Sequence, residues 1–383
     1  MTNKTVHEPL FQISKRGDIS LKKAILIRTI AIAGGLIFVC CLCGLLFSGN
    51  PLEVLGTLFE GSFGTERRIW TLLRDLCLLL GVGIALVPAF KMKFWNLGGN
   101  GQILMGALVA IAIMRSPLGA KSEGLANILM VVGAILAGAI WAVIPAIFKA
   151  FFKTNESLFT LMMNYIAVGL VSYFVNEWST NGSGVLGIIH TGHLPELGND
   201  YILTILIVVI LTVAMFFYMR NFKQGYEVAV VGESEKTAKY AGMNVKKVMI
   251  RTLAISGAIC GVIGLLLAGS INHSINEQTA NNMGFTAIMV AWLGKFNPFM
   301  MIATSFLIVF MTQGMGHVQS AFNVTNNSVS NMLTAIIYFI IIACEFFISY
   351  KIKINKRSAK PQDGFIAGDG EKTSQQADLK EGK

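Results

Sequence analysis

Charged residues are scarce in this chain. They make up 14% of its 383 residues, against about 25% in an average soluble domain. Hydrophobic residues make up 54%, and the mean hydropathy is +0.63. So few charges exclude a water-soluble globule, and so much hydrophobicity excludes a disordered chain. The sequence therefore predicts a polytopic membrane protein, with the lipid bilayer of the cell membrane as its surroundings.

Signatures of catalysis and of nucleotide binding are also missing. The sequence has no GxxxxGK[ST], GxSxG or HExxH motif and no pair of catalytic carboxylates. Its six cysteines all lie in apolar stretches, without zinc-site spacing or a disulfide framework. We expect no enzyme activity, no metal site and no cofactor bound by this chain. If ATP drives it, the ATPase is another chain.

The net charge of +10 does not indicate nucleic acid as a partner. Its Lys and Arg residues come in short clusters between apolar runs, without the interleaved aromatics of a nucleic-acid surface. Such clusters are typical of cytosolic loops. No Lys or Arg occurs in residues 154–219, 252–294 or 296–350, so the loops within those windows are predicted to face outward.

Ten apolar stretches predict a helical membrane bundle of the all-α class. They are residues 24–48, 69–90, 97–114, 126–149, 157–176, 201–219, 251–271, 283–294, 298–314 and 331–349. Residues 283–294 are too few to cross about 30 Å of hydrocarbon, so at least one span is short or broken. Ten spans would place both termini in the cytosol.

Three regions follow from this division of the chain. Residues 1–23 are predicted to be a cytosolic N-terminal segment, and residues 24–350 the transmembrane domain. Residues 351–383, which are polar and poor in large apolar side chains, are predicted to be a disordered cytosolic tail. The longest cytosolic loop, 220–250, contains a short amphipathic helix closed by Gly242.

Amides at membrane depth are the main candidates for chemistry. Asn96, Asn100 and Gln102 lie among glycines at the start of the third apolar stretch. Such amides either line a polar path through a broken helix or bond neighbouring helices together, and the sequence leaves both open. Asn164 lies deeper in its stretch and is predicted to face the path. Asn272 opens an outward polar loop, suited to a polar solute or to solvent alone.

Four segments resemble the ABC importer permeases of the branched-chain amino acid and simple-sugar type, most closely the nucleoside and simple-sugar branch. Residues 96–106 read NLGGNGQILMG, and residues 157–167 read SLFTLMMNYIA. Residues 231–245, VGESEKTAKYAGMNV, are similar to the coupling loop of these permeases, and residues 285–298 read FTAIMVAWLGKFNP. Asn100 stands where the family usually has an acid, Ser234 replaces an Asn, and Thr237 replaces an Ala.

The resemblance implies about ten helices per subunit and two permease subunits around one path. The partners would be cytosolic ABC ATPases, which use ATP and Mg, a second and paralogous permease, and an external substrate-binding lipoprotein. The cargo would be a nucleoside, with simple sugars next. The residues expected on the substrate pathway are Asn96, Asn100, Gln102, Asn164, Asn272 and Phe285. Those expected to couple to the ATPase are Gly232, Glu233, Ala238, Ala241 and Gly242.

Two other classes remain as alternatives. An ion-coupled secondary transporter is expected to carry an acidic residue at the membrane midplane or an inverted repeat. Only amides are expected at membrane depth here, and no repeat is evident, so this class is disfavoured. A membrane-embedded enzyme lacks any nucleophile and base.

Overall fold

The membrane part of the protein is a bundle of helices, as predicted. A computed structural model describes residues 11–15, 21–47, 50–117, 119, 122–179, 185–195, 198–323 and 327–354. Within them the helices are α1 Leu21–Phe47, α2 Pro51–Phe63, α3 Glu66–Lys91, α4 Gly99–Arg115, α5 Glu123–Phe152, α6 Glu156–Trp178, α7 Ile202–Asn221, α8 Lys223–Glu233, α9 Glu235–Tyr240, α10 Val245–Leu266, α11 Met283–Leu293, α12 Pro298–Ala321 and α13 Asn327–Ser349. A π-helical segment, Leu267–Asn272, continues α10.

All ten predicted apolar stretches are helical. Among the described residues, seven helices are long and apolar enough to cross a membrane: α1, α3, α5, α6, α7, α10 with its π-helical extension, and α12. The apolar parts of α4, α11 and α13 are shorter. Helix α11 has 11 residues and is about 16 Å long, which confirms that the bundle contains a short element.

Two elements outside the ten stretches were not predicted. Helix α2 starts at Pro51, and the Asn50 side chain caps it by accepting a hydrogen bond from the Leu52 N–H at 3.1 Å. Strands β1 (Phe11–Lys15) and β2 (Tyr350–Ile354) form a two-stranded antiparallel ribbon. This ribbon brings the start of α1 and the end of α13 to the same end of the bundle.

The ribbon corrects the predicted boundaries of the N-terminal segment and of the C-terminal tail. Strand β1 lies within the N-terminal segment 1–23, and β2 includes residues 351–354 of the segment that was predicted to be a disordered tail. The remainder of that segment, 355–383, lies outside the described residues.

The centre of the bundle is built on small residues. Gly257 and Gly261 of α10 lie directly against Gly138 and Ala134 of α5, where an added Cβ atom would overlap a backbone carbonyl oxygen. On another side of α10, Gly264 is equally close to the backbone of α4 at Ile103. Such contacts let backbones approach closely and lock α4, α5 and α10 into one unit. Helix α3, most of whose side chains are buried, packs beside it.

The two ends of the bundle differ in charge. At one end, here called the basic end, α3, α5 and α7 finish with Lys91, Lys149 and Arg220 in their last turns. At the other, the loop end, residues 185–195 lie on the chain that follows α10. The Ile189 N–H donates to the His273 carbonyl at 2.9 Å, and the Leu194 N–H donates to Gly269 at 3.2 Å.

Candidate translocation pathway

The helical structure is interrupted between α3 and α4, and α4 begins inside the protein. Asn96, Gly98, Gly99 and Asn100 are all buried. The first N–H groups of a helix have no partner within it and must find acceptors when they are buried. Side chains supply them here: Asn96 Oδ1 accepts from the Gly98 N–H at 3.0 Å, and Asn164 Oδ1 accepts from the Gly101 N–H at 2.8 Å.

Residues of α6 and α10 complete this network. Asn164 also donates through Nδ2 to the Leu97 carbonyl at 2.8 Å, and the Thr160 hydroxyl accepts from the Leu97 N–H at 3.1 Å. Gln102 donates to Asn96 Oδ1 at 3.2 Å, and Asn96 donates to the Ser256 hydroxyl at 3.4 Å.

These contacts favour the second of the two roles left open for the amides. Asn96, Gln102 and Asn164 are at most 6% exposed. Asn96 and Asn164 bond the broken segment to α10 and α6, and Gln102 bonds to Asn96 within the segment. A direct role for these three residues in the pathway stays a prediction.

Asn100 joins α4 to the short helix α11. Its Oδ1 accepts from the Gly284 N–H at 2.7 Å, and its Nδ2 faces Asn282 Oδ1 at 3.5 Å. A Cβ atom added at Gly284 would lie 2.5 Å from the backbone nitrogen of Asn100, so only glycine fits. Asn281 and Asn282, which precede α11, both have positive φ, at 40° and 55°. Backbone conformations of this kind are costly and concentrate at functional sites.

A polar cavity of about 420 Å³ opens next to this junction, at the loop end. It is lined by Arg74, Asp75, Leu78, Leu267, Ile271, Asn272, Ser274, Asn276, Gln278, Thr279, Asn281 and Met283. Leu78 is twelve residues into α3, so the cavity reaches about 18 Å along the axis of this predicted spanning helix. Non-helical backbone at such depth is tolerated where it lines a water-filled space.

The cavity corrects one expectation, because charged side chains do lie within a span. Arg74 and Asp75 of α3 form an ion pair with an N–O distance of 2.8 Å. These two residues were not predicted as site residues, although a charged pair inside an apolar stretch is itself a signal of a functional site. Asp75 is thus an acidic residue within a span, as an ion-coupled transporter is expected to carry, but its carboxylate is paired with Arg74 and the pair is neutral as a whole.

Predicted pathway residue Phe285 lies on the accessible face of α11. It is 38% exposed, and Trp292, seven residues further on and so on the same face, is 47% exposed. The Trp292 indole stacks on Trp95, with ring centroids 5.4 Å apart, beside Phe90 and Phe296. An accessible face therefore runs from the loop-end cavity, past Asn282 and Phe285, to the aromatic cluster of Phe90, Trp95, Trp292 and Phe296.

The segment expected to couple to an ATPase lies at the basic end. Gly232, at the end of α8, is buried against the end of α3, where a Cβ atom would overlap the Lys91 carbonyl oxygen. Ser234 then breaks the helix, and its hydroxyl caps α9 by accepting from the Thr237 N–H at 3.3 Å. Serine can thus fill the capping role of the Asn that is usual in the family segment.

Helix α9 is the predicted amphipathic helix, and it ends at Gly242 as expected. Gly242 has φ +74°, its N–H donates to the Lys239 carbonyl, and the Met243 N–H donates to the Ala238 carbonyl. This pattern is the Schellman motif, which favours glycine. Ala238 is fully buried, whereas Glu233, Ala241 and Gly242 are exposed. The helix therefore packs on the bundle with one face and exposes the other.

Comparison with known protein families now identifies the chain. Residues 70–343 match the family model described as the branched-chain amino acid transport system permease component. The chain belongs to this family. The match covers α3 to α13, and so it includes the broken segment, the loop-end cavity and the basic-end helices. The permease is thus a multi-pass protein of the cell membrane.

Several curated proteins are similar to this permease. The guanosine ABC transporter permease protein NupP of Bacillus subtilis is 30% identical over 249 residues, which is 62% of this chain and 70% of that protein. The glucose ABC transporter permease protein TsgB13 of Haloferax volcanii is 26% identical over 80% of this chain and 84% of that protein. The nucleoside permease protein NupB of Lactococcus lactis is 23% identical over 81% and 86%. No solved structure matches.

Cysteine accessibility separates the exposed wall of the loop-end cavity from Asn96, a predicted pathway residue that is buried. In a variant without the six native cysteines, we expect Asn281→Cys, at the exposed mouth of the cavity, to react with a membrane-impermeant thiol reagent. We expect Asn96→Cys, which is fully buried, to react at least about tenfold more slowly, since buried thiols are shielded from reagents. Rapid labelling of Asn96→Cys in any nucleotide state would instead place Asn96 on the pathway.

Proposed function

We propose that this permease is the membrane subunit of an ATP-driven importer for nucleosides. Its membership of the permease family carries the proposal, and the similarity to guanosine and nucleoside permease proteins points to the cargo. The loop-end cavity supports it, because Asn276, Gln278 and Asn281 offer both donors and acceptors for ribose hydroxyls and the polar edges of a base. The stacked Trp95 and Trp292 offer a flat surface of the kind on which bases stack.

A simple sugar is the second candidate, because a glucose permease protein is also among the similar proteins. Uptake by cells that have lost the gene and by complemented cells distinguishes the two cargoes. We expect complementation to restore uptake of labelled guanosine at least about tenfold, with an excess of unlabelled nucleoside but not of glucose abolishing it. Restored glucose uptake that is insensitive to nucleosides would select the sugar instead.

Charge supports an orientation with the basic end in the cytosol. Lys91, Lys149, Lys153 and Arg220 lie there, as expected from the enrichment of Lys and Arg in cytosolic loops. The β1–β2 ribbon, which joins the start of α1 to the end of α13, is consistent with an even number of crossings. We therefore infer ten crossings, with α4 and α11 as the short ones, and both chain ends inside.

The proposed partners follow from this orientation. Cytosolic ABC ATPases would hydrolyse ATP with Mg and bind the exposed face of α9. An external lipoprotein would deliver the cargo at the loop end. A second, paralogous permease subunit would enclose the accessible face of α11. The ion pair between Arg251 of α10 and Glu227 of α8, at 2.8 Å, ties the α8–α9 segment to a spanning helix. A movement of the ATPase at α9 would thereby reach the bundle.

Tyr240 tests the coupling role of α9 without disturbing the fold, because its side chain is 92% exposed. We expect Tyr240→Ala to reduce ATP-dependent uptake at least about fivefold, because truncating an aromatic anchor at an interface costs about 1–2 kcal/mol or more. Tyr226→Ala is the matched control, since Tyr226 is also exposed at the basic end, at 64%, but lies on α8. Equal uptake by the two variants would contradict the assignment of α9.

A further inference from the structure

A second cavity lies at the basic end, away from the loop-end cavity. It has a volume of about 600 Å³ and opens between α3, α7 and the turn that joins α11 to α12. Three basic side chains line it, each at a helix terminus or in the turn that follows one: Lys91, Arg220 and Lys295. Their convergence on one space makes it a candidate site for an anion.

Two of these cations have no carboxylate partner. Among the described residues, no carboxylate lines the cavity, and Lys91 and Arg220 make no ion pair. Other cations at the same end are paired: Lys149 with Glu156 at 2.7 Å, and Arg251 with Glu227 at 2.8 Å. Cations near helix C-termini do complement the helix dipole, which accounts for their charge but not for the open space among them.

The remaining wall of the cavity is apolar and leads toward the bilayer interior. Ile84 and Val87 of α3 and Met215 and Phe216 of α7 line it. Ile84 lies seven residues before Lys91, about 10 Å deeper along the helix axis. A cationic mouth above an apolar groove matches a molecule that has an anionic head and a hydrocarbon tail. A neutral nucleoside carries no negative charge that could pair with three basic side chains.

We propose that this cavity binds an anionic phospholipid. The phosphate lies among Lys91, Arg220 and Lys295, and an acyl chain runs along the wall formed by α3 and α7. Basic pockets between membrane helices recognise lipid head groups by this chemistry. The end of α3 also contacts Gly232, at the end of α8. A lipid bound beside α3 would therefore stabilise the surface against which α8 packs. The inference requires only that the chain is embedded in a membrane and does not depend on the cargo.

Lipid titration of the full-length chain tests the proposal. The protein is purified in an uncharged detergent and titrated with phosphatidylglycerol or with phosphatidylcholine of the same acyl chains, and bound lipid is counted by native mass spectrometry. We expect one phosphatidylglycerol to bind at least about tenfold more tightly than phosphatidylcholine. Lys91→Gln, Arg220→Gln and Lys295→Gln should each weaken binding about fivefold, and the triple variant should lose the preference. Lys153→Gln and Lys246→Gln, exposed at the same end, should bind within twofold of the native chain.

Three results would overturn the proposal. They are equal binding of the two lipids, equal effects of the cavity variants and the two controls, and displacement of phosphatidylglycerol by an equal concentration of glycerol phosphate. The last would show a site for a free anion rather than for a lipid. A melting temperature in uncharged detergent that matches the native chain confirms that each variant is folded, and the single variants decide the question if the triple variant does not fold.

Discussion

Gly261→Val is expected to prevent most of the permease from reaching its folded state in the membrane. A Cβ atom at residue 261 would overlap the Ala134 carbonyl oxygen and lie 3.3 Å from the Gly138 Cα atom. Both are backbone atoms, which cannot move aside as the end of a side chain can. Overpacking a core costs about 1–3 kcal/mol even when side chains can adjust, and here α5 and α10 must separate. We expect at least about a tenfold loss of monodisperse protein in size-exclusion chromatography after detergent extraction.

Gly169→Val is the matched control for this prediction. Gly169 lies within the spanning helix α6, is exposed, and has no atom within 4 Å of an added Cβ position. The same chemical change at that site should leave the yield within about twofold. Comparable yields of the two variants would show that the unit of α4, α5 and α10 does not depend on close backbone contact.

Asn100→Leu is expected to abolish uptake while the protein remains in the membrane. Leucine has about the same size but cannot accept the hydrogen bond from the Gly284 N–H, now 2.7 Å from Asn100 Oδ1. Leaving a buried N–H without an acceptor costs about 1–3 kcal/mol, and the α4–α11 junction borders the loop-end cavity. We expect at least about a tenfold loss of initial uptake rate in cells, at a protein level within about twofold of native on an immunoblot.

Asn100→Asp separates the hydrogen bond from other effects at this position. Aspartate keeps the acceptor for the Gly284 N–H, and an acid is the usual residue of the resembling family segment. We expect this variant to retain at least about half of the native uptake. If Asn100→Asp and Asn100→Leu lost uptake equally, the junction would matter for some reason other than the bond to Gly284.

The apolar helices could be predicted from the sequence because a membrane imposes a length and a composition on each helix, and seven of them are long enough to cross it. All ten predicted stretches are helical. Helix α2 was missed because its 13 residues are too short to read as a span, although Asn50 and Pro51 form a helix-start signal. The β1–β2 ribbon joins residues more than 300 positions apart, and a pairing between such distant segments leaves no local pattern to detect.

The candidate pathway was predicted only in part, for a related reason. The pattern of amides and glycines at residues 96–106 correctly located a broken element. It could not show that Asn96 and Asn164 bond to that element's own backbone, or that Gln102 bonds to Asn96, because those bonds depend on how α6 and α10 pack around it. The Arg74–Asp75 pair is a local signal within an apolar stretch and could have been predicted from the sequence, whereas the stacking of Trp95 on Trp292 depends on the position of α11.

Uptake into proteoliposomes tests the central claim most directly, namely that this permease moves its solute only when separate ATPase subunits drive it. The chain is reconstituted alone, and in parallel with its partner permease, ATPases and binding protein, each with and without ATP and Mg. We predict accumulation of labelled nucleoside against a gradient only in the complete complex supplied with ATP. Accumulation by the chain alone, driven by an ion gradient and without nucleotide, would contradict the account.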